Sequence, residues 1–549
     1  MNYFKYLLLV LLLVACKQES KIVEDPVVWS SYDETEELEE QETHEIARMR
    51  FKLLNSKFVD KNLFWKPFET ALSAFGNEKY ESLKASILEK NIPELQKQIK
   101  DGTLTYEELI LFYLYRIRKY ESDNTSSLNA IIALNPDVLK QAKEKDENIQ
   151  DVDLYSMYGM PVLLKDNIGA LGMPTTAGAF VLKDNYTEDA FITSKIKESG
   201  ALILGKVNLS EWAYYFCSGC PLGYSAVGGQ TLNPYGRKKF ETGGSSSGSG
   251  VAVAANYAVV AVGTETAGSI LSPSSQNSVV GLKPTIGLLS RSGIVPISST
   301  LDTPGPMTKS VVDNAIFLNA MLGKDKTDAA SIETNKDYLE NLLKASLKGK
   351  KMGVLKPLLE NKIYSETIEK LKIEGVEIVE FEPEDIQLEG FLTLLNIDMK
   401  YDLPKYFRTY AKDNIKVESI EDVVMFNLKD SLVRAPYGQQ LFQGIVKDST
   451  TLEELEKIKQ NLEEDARKFF DRVMDTYQLD AVLSINNYHA AYAAVAKYPC
   501  LTVPMGYKES GEPISLTFIG KPFTEEHLLK LGYAFENATK VRKSPKNYK

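Results

Sequence analysis

Short apolar runs separated by polar segments recur along the central part of the chain. Residues 161–164, 201–205 and 258–263 are three such runs, and their length is typical of buried strands. Segments with helix-start signals alternate with them; Thr105 and Glu108, for example, form the pattern of a capping box. This alternation predicts an α/β fold in which a mixed β-sheet core is flanked by helices on both faces.

The first residues follow a different pattern. Lys5 precedes an apolar run over residues 7–15, which has the ~7–15-residue length of a signal-peptide core and is shorter than the ~20 residues of a membrane span. The run ends in Leu-Val-Ala-Cys, which resembles a bacterial lipobox with Cys16 as the lipidated residue. We therefore expect residues 1–15 to be a lipoprotein signal peptide, and the exported chain to be anchored by lipid to a membrane of the cell envelope. An ordinary cleaved signal peptide is the alternative.

The residues after Cys16 predict a polar connection and then a helical region. Residues 33–40 are mostly acidic and carry too few apolar side chains to fold alone, so we expect residues 16–45 to be a solvated acidic tether. Apolar positions such as Ile46, Met49 and Leu53 predict a helical extension over residues 46–91. The main domain is expected over residues 92–545.

Composition narrows the classes of function. The 549-residue chain has a formal net charge of −11, and an acidic surface disfavours nucleic acid, whose binding depends on phosphate neutralisation. We therefore expect no nucleic-acid partner. Only three histidines are present, His44, His489 and His527. Because histidine is the usual catalytic base and a common metal ligand, a hydrolytic mechanism has few histidines to use here.

Cys217 and Cys220 form a C-x-x-C pattern, which occurs in redox pairs and in zinc sites. No second C-x-x-C and no cluster of histidines supplies further ligands, so we expect no metal site. Export would permit a local disulfide. We interpret the two as loop cysteines, with or without a bridge between them, rather than as a redox centre.

A glycine- and serine-rich segment covers residues 242–250. It is not a flexible linker, because the apolar residues 251–255 follow at once and need burial. It is not a nucleotide-binding loop, because the required lysine is missing. Residues 244–248 match the G-x-S-x-G nucleophile elbow of α/β-hydrolases, but that elbow follows a strand, and a polar turn precedes this one. We therefore disfavour the elbow.

This segment and two others, in the same order, resemble the amidase signature family. Residues 243–249 are similar to its serine–glycine core, residues 263–270 to its nucleophile segment, and residues 163–167 to its lysine strand. The two serines lie 269 − 245 = 24 residues apart, which is typical of the family. The resemblance covers nearly all of residues 92–545 and implies the amidase signature fold, with a mixed, twisted β-sheet.

The resemblance also implies a mechanism. Ser269 is the expected nucleophile, Ser245 relays its proton and follows a cis peptide bond, and Lys165 is the terminal base. No metal and no organic cofactor is implied. Backbone N–H groups are expected to bind the oxyanion, and one further serine to support the site; these residues are Thr266, Ala267, Gly268 and Ser269 for the oxyanion, and Ser246 for support. The family often has aspartate where Ala267 stands, which leaves substrate preference open.

The chemistry makes a strict demand on Lys165. A free lysine has a pKa of about 10.4, so roughly one in two thousand is neutral at pH 7. Burial lowers this pKa, and the apolar residues 162–164 predict a buried position. Asp166 would oppose the shift if its carboxylate faced the amine, but neighbours in a strand face opposite sides. We therefore expect Asp166 to point away.

Three functions fit this sequence. The first is hydrolysis of the C–N bond of a carboxamide or a C-terminal peptide amide through an acyl-enzyme, with a small molecule or a peptide as substrate. The second is a protein like the amidase component of glutamyl-tRNA amidotransferase, against which an export signal argues. The third is a surface binding lipoprotein on an inactive amidase scaffold, against which the three filled catalytic positions argue.

Overall fold

The computed structural model describes residues 28–149 and 153–549. The predicted signal peptide and the lipidation of Cys16 lie outside these residues. Within the described ranges, no helix has the length and apolar character that crossing a membrane requires.

An eleven-stranded mixed sheet, in the order β1-β3-β2-β6-β8-β7-β12-β13-β11-β9-β10, is the centre of the described chain, and β4 and β5 pair separately. The mixed sheet flanked by helices confirms the predicted fold class. The strands are β1 Ile131–Leu134, β2 Pro161–Lys165, β3 Leu202–Val207, β4 Tyr224–Ser225, β5 Gly229–Gln230, β6 Val260–Glu265, β7 Val280–Lys283, β8 Thr303–Thr308, β9 Lys351–Leu355, β10 Glu377–Phe381, β11 Ala481–Ile485, β12 Cys500–Tyr507 and β13 Pro513–Ile519.

Helices surround this sheet, and the predicted capping box of Thr105 and Glu108 is present. Residues 46–91 contain two helices, and their Leu54 and Trp65 join the main hydrophobic core. The helices are α1 Thr35–Gln41, α2 Asn62–Trp65, α3 Glu69–Ile87, α4 Ile92–Lys100, α5 Tyr106–Glu121, α6 Val138–Glu147, α7 Phe191–Glu198, α8 Ser247–Ala254, α9 Leu271–Gln276, α10 Val311–Met321, α11 Lys362–Ile373, α12 Phe391–Tyr410, α13 Ile420–Leu428, α14 Ser431–Arg434, α15 Gln440–Lys447, α16 Leu452–Tyr477, α17 Ala490–Val495 and α18 Glu525–Thr539.

The three apolar runs read from the sequence correspond to β2, β3 and β6, with ends shifted by one to three residues. Strand β2 lies between β3 and β6 and runs parallel to both. The carboxyl ends of parallel neighbours meet at the same edge of a sheet. This arrangement brings Lys165, the last residue of β2, beside Thr264 and Glu265 at the end of β6.

The acidic residues 33–40 do not form the solvated tether that their composition predicts. Most of them belong to helix α1, where Glu37 pairs with Lys238 at 2.7 Å and with Arg237 at 3.3 Å. Glu34 is buried and accepts a hydrogen bond from the backbone N–H of Asn55 at 3.0 Å. The prediction was wrong for this stretch because basic side chains far along the sequence neutralise the acidic helix, which composition alone does not reveal.

Arg116, fully buried in α5, joins three distant parts of the chain and provides a test of this packing. Its guanidinium donates to the carbonyl of Ala255 at 3.0 Å, to the hydroxyl of Tyr80 at 2.7 Å and to the carbonyl of Tyr548. Arg116→Met leaves these acceptors without a partner and should lower the free energy of unfolding by about 3 kcal/mol or more. Urea denaturation measures the change. The exposed Arg408→Met is the control, and equal losses in the two variants would contradict the expectation.

Candidate active site

The amine of Lys165 is completely buried at the end of β2 and is surrounded by oxygen atoms. Its Nζ lies 2.8 Å from Ser245 Oγ, 2.8 Å from Thr264 Oγ1 and 3.0 Å from the Thr264 carbonyl oxygen. Burial lowers the pKa of Lys165 to about 7, and the carboxylates of Asp302 and Glu265 oppose that shift. The site therefore holds an amine that changes charge near neutral pH.

Asp166 faces away from this amine, as predicted from the alternation of side chains along a strand. Its carboxylate pairs with Lys206 at 3.1 Å and accepts the hydroxyl hydrogen of Thr176. Both members of the ion pair are fully buried. The negative charge next in sequence to Lys165 is thus compensated on the opposite side of the strand.

Tight backbone packing places Ser245 against Lys165. The peptide bond between Gly244 and Ser245 is cis, as the resemblance predicts, and the Ser245 side chain is fully buried. Gly243 has a φ of 64°, and a Cβ there would lie 2.6 Å from the backbone nitrogen of Pro273. A Cβ on Gly244 would lie 2.6 Å from Ser210 Oγ. These contacts explain why glycines precede the serine.

Ser246 connects this loop to the two other segments of the site. Its Oγ donates to the Thr264 carbonyl at 3.0 Å and accepts from the Thr264 N–H at 3.2 Å. Its own N–H donates to the Ser269 carbonyl at 3.1 Å. Ser246 therefore fixes the end of β6 and the segment that carries Ser269.

Residues 266–269 form the turn between β6 and α9. Ser269 is partly exposed, whereas Ser245 is fully buried, and no described residue forms a hydrogen bond with Ser269 Oγ. The hydroxyl-to-hydroxyl contact with Ser245 that the resemblance implies is therefore not among the hydrogen bonds of the described chain. The free Ser269 hydroxyl lies at the accessible side of the site.

The backbone of this turn is held by Glu265, which sequence reasoning missed. Its buried carboxylate accepts from the N–H groups of Ile270 at 2.7 Å and Leu271 at 3.0 Å, and it also lies near the N–H of Gly268. Burial raises the pKa of Glu265. Within the described chain, no residue accepts a hydrogen bond from the N–H groups of Ala267 and Ser269. Of the predicted oxyanion donors, these two are free, while Gly268 is shared with Glu265.

Two further residues at the site were missed for different reasons. Thr264 contacts the lysine amine through both its carbonyl and its hydroxyl, and Asn167 Nδ2 donates to that hydroxyl at 3.0 Å. The polar end of the run at 258–263 was a signal for Thr264. No sequence signal marked Asp302, which accepts a hydrogen bond from the Thr266 hydroxyl at 2.6 Å.

The histidines have other partners, so the nucleophile-elbow alternative is wrong. The Nδ1 of His489 lies 2.7 Å from Ser484 Oγ, and His527 pairs with Asp480 at 2.8 Å. Burial lowers the pKa of His489 to about 4. The central serine of the elbow pattern, Ser246, uses its hydroxyl on backbone groups instead.

A cavity lies beside the serine loop, in the region predicted to shape the substrate pocket. Aromatic side chains of Tyr214, Phe216 and Tyr224 line it, together with the buried Glu211. Cys217 and Cys220, left open by the sequence, are joined by a disulfide at its wall. Ser210, which also lines the cavity, donates its N–H to the Ser245 carbonyl at 3.0 Å and so connects the cavity to the site.

Comparisons with known proteins agree with this geometry. The amidase family model matches residues 108–529. The chain is 34% identical to a probable amidase of Arabidopsis thaliana over 84% of its own length and 92% of that protein. It is 31% identical to the amidase component of glutamyl-tRNA(Gln) amidotransferase from Thermoanaerobacter pseudethanolicus, over 83% and 97% of the two chains.

A solved structure gives the same result. The native peptide amidase of Stenotrophomonas maltophilia superposes with a TM-score of 0.77 at 37% identity, covering 83% of this chain and 98% of that one. The match extends over most of the sheet and includes the strands and turns that hold Lys165, Ser245 and Ser269. The chain belongs to the amidase family, whose members act on carbon–nitrogen bonds.

Proposed function

We propose that the protein hydrolyses the C–N bond of a carboxamide or of a C-terminal peptide amide, using Ser269 as nucleophile, Ser245 as proton relay and Lys165 as base. One observation carries this proposal. The Lys165 amine is completely shielded from water and lies 2.8 Å from Ser245 Oγ, so an otherwise weak base is placed to take a proton from a serine.

The surroundings of the amine suit a neutral base. A neutral amine has two N–H donors and one lone pair, and three oxygen atoms lie within hydrogen-bonding distance of Nζ. The Thr264 carbonyl can only accept, so one N–H points there. The lone pair is then free to accept from the Ser245 hydroxyl. With a pKa of about 7, a large fraction of Lys165 is in this state at neutral pH.

The reaction proceeds in two stages. Ser269 Oγ attacks the amide carbonyl as its proton passes through Ser245 to Lys165, and the free N–H groups of Ala267 and Ser269 stabilise the oxyanion. The C–N bond breaks, the leaving nitrogen takes the proton, and an acyl-enzyme forms. Water then releases the acid by the reverse relay. The contact between Ser269 and Ser245 is expected to tighten in the substrate complex, as catalytic hydrogen bonds often do.

Similarity to a peptide amidase and the aromatic cavity beside the serine loop support amidated peptides or apolar carboxamides as substrates. A role like that of the amidase component of a glutamyl-tRNA(Gln) amidotransferase is the second candidate, and the extent of similarity to that component favours it. An isolated chain that hydrolyses amides without a partner would support the first candidate over the second. An inactive binding lipoprotein is the third, and the experiment below tests it.

Labelling with an alkyl fluorophosphonate tests the nucleophile. The wild type should be labelled at Ser269, and Ser269→Ala should abolish both labelling and ammonia release from amidated peptides. Ser245→Ala should slow both by roughly 10³-fold or more, because the base loses its relay. Mass spectrometry of the labelled protein locates the adduct.

Ser272→Ala is the matched control, since this serine lies partly exposed on the neighbouring α9 and has no assigned role. It should retain labelling. A wild type that stays unlabelled, or a Ser269→Ala variant that is still labelled, would exclude the proposed mechanism.

The pH dependence of stability tests the neutral amine. The pKa of Lys165 is lowered from 10.5 to about 7 by folding, so between these pH values the folded protein binds fewer protons than the unfolded chain. Stability relative to Lys165→Met should therefore rise with pH across that window, by on the order of 3 kcal/mol in total. Urea denaturation at several pH values measures it. The exposed Lys140→Met should show no such trend, and a flat difference for Lys165→Met would contradict a buried neutral amine.

The protein is further proposed to be a lipoprotein anchored to a membrane of the cell envelope through Cys16. Multiple acyl chains at this cysteine would hold it at the membrane, since one chain gives only marginal binding. After cell fractionation, the wild type should sediment with membranes and Cys16→Ala should not. Ser20→Ala keeps the cysteine and is the control. Equal sedimentation of all three would reject the anchor.

A further inference from the structure

Asp302 lies immediately before β8 and connects the turn carrying Ser269 to another loop. One carboxylate oxygen accepts from the Thr266 hydroxyl at 2.6 Å. The other accepts from the N–H groups of Ile297 at 2.8 Å and Ser298 at 2.9 Å. A single side chain thus joins the residues 266–269, which carry the oxyanion donors, to the residues 297–298.

The loop on the other side of Asp302 is itself fixed to the lysine strand. The Val295 N–H donates to the Asn167 carbonyl at 2.8 Å, and the Gly169 N–H donates to the Gly293 carbonyl at 3.0 Å. Asn167 and Gly169 follow shortly after Lys165 in the sequence. Residues 293–298, with Asp302, therefore form a brace that joins the lysine side of the site to the nucleophile side.

The charge of Asp302 also acts on the base. Its carboxylate and that of Glu265 are the anions whose field favours the charged form of Lys165 against the effect of burial. Glu265 is engaged with the backbone of α9, and the cation that faces Asp302 is Arg291, which is itself paired with Asp328 at 2.5 Å. Burial raises the pKa of Asp302 to about 6, so its carboxylate is mostly ionised at neutral pH.

The carboxylates near the same loop have separate tasks. Asp398 accepts from the Ser298 hydroxyl and from the Thr300 N–H at 3.2 Å, and Asp402 accepts from the Ser299 N–H at 2.6 Å. Lys459 neutralises Asp398 at 3.2 Å. These groups hold the outer side of the loop, whereas Asp302 is the one whose oxygen reaches the Thr266 hydroxyl.

We propose that Asp302 is a positioning residue for the amidase reaction: it holds the oxyanion turn through the Thr266 hydroxyl, and its negative charge sets the pH at which Lys165 becomes a base. This inference rests on the function proposed above. Asp302 acts through Thr266 and Lys165, and it takes no proton from the substrate. The two effects, one geometric and one electrostatic, are separable by mutation.

The test measures the rate of fluorophosphonate labelling of the full chain across neutral pH, which requires no knowledge of the substrate. In the wild type, the rate should rise with pH as Lys165 loses its proton. In Asp302→Asn, loss of the nearby anion disfavours the ammonium form, so the midpoint of the rise should move to lower pH by roughly one unit. The maximal rate should fall about tenfold, because the turn loses part of its brace.

Thr266→Val separates the geometric effect from the electrostatic one. It removes the hydroxyl and keeps the carboxylate, so the maximal rate should fall about tenfold while the midpoint stays at its wild-type pH. Thr266→Ser retains the hydroxyl and should match the wild type in both respects. Thermal melting of each variant checks that it is folded.

Two results would overturn the inference: an Asp302→Asn midpoint equal to that of the wild type, or a Thr266→Val maximal rate equal to that of Thr266→Ser. The second applies even if Asp302→Asn does not fold. Failure of the proposed function gives a different pattern, because wild-type labelling would then persist in Ser269→Ala or in Lys165→Met, whatever the Asp302 variants do.

Discussion

The burial of one amine is the constraint on which the site depends. Lys165 is completely removed from water, and an ammonium ion is expensive to bury unless it is paired or loses its proton. Here no carboxylate of the described residues forms an ion pair with Nζ; its hydrogen-bond partners are a hydroxyl of Ser245 and two oxygen atoms of Thr264. These partners suit a neutral amine, and the more distant Asp302 and Glu265 keep it from losing its basicity altogether.

The sheet supplies the geometry that this burial needs. Because β2 and β6 run parallel, their carboxyl ends bring Lys165 and Thr264 to one edge, and residues 266–269 begin there. The serine loop then packs over that edge. Its glycines allow the backbone to approach Pro273 and Ser210 more closely than a side chain would permit. The result is a buried base below a partly exposed serine.

Acidic groups around the site have structural tasks that place them close to the chemistry. Glu265 shapes the turn before α9, and Asp302 joins that turn to a loop fixed beside Lys165. Asp166 is turned to the other side of its strand and paired with Lys206. Carboxylates that organise the backbone therefore also determine the electrostatic environment of the base, so packing and reactivity are linked in this fold.

The sequence by itself determined the class of fold, three strands of the sheet, the direction of Asp166 and the segments that meet at the site, because these depend on local periodicity and on short motifs. Tertiary structure alone decided the partners of Lys165 at Thr264, the roles of Glu265 and Asp302, the disulfide between Cys217 and Cys220, and the folding of the acidic residues 33–40 as a helix against Arg237 and Lys238. Each of these, apart from the disulfide, depends on the pairing of groups far apart in the sequence, and such pairing leaves no periodic pattern along the chain.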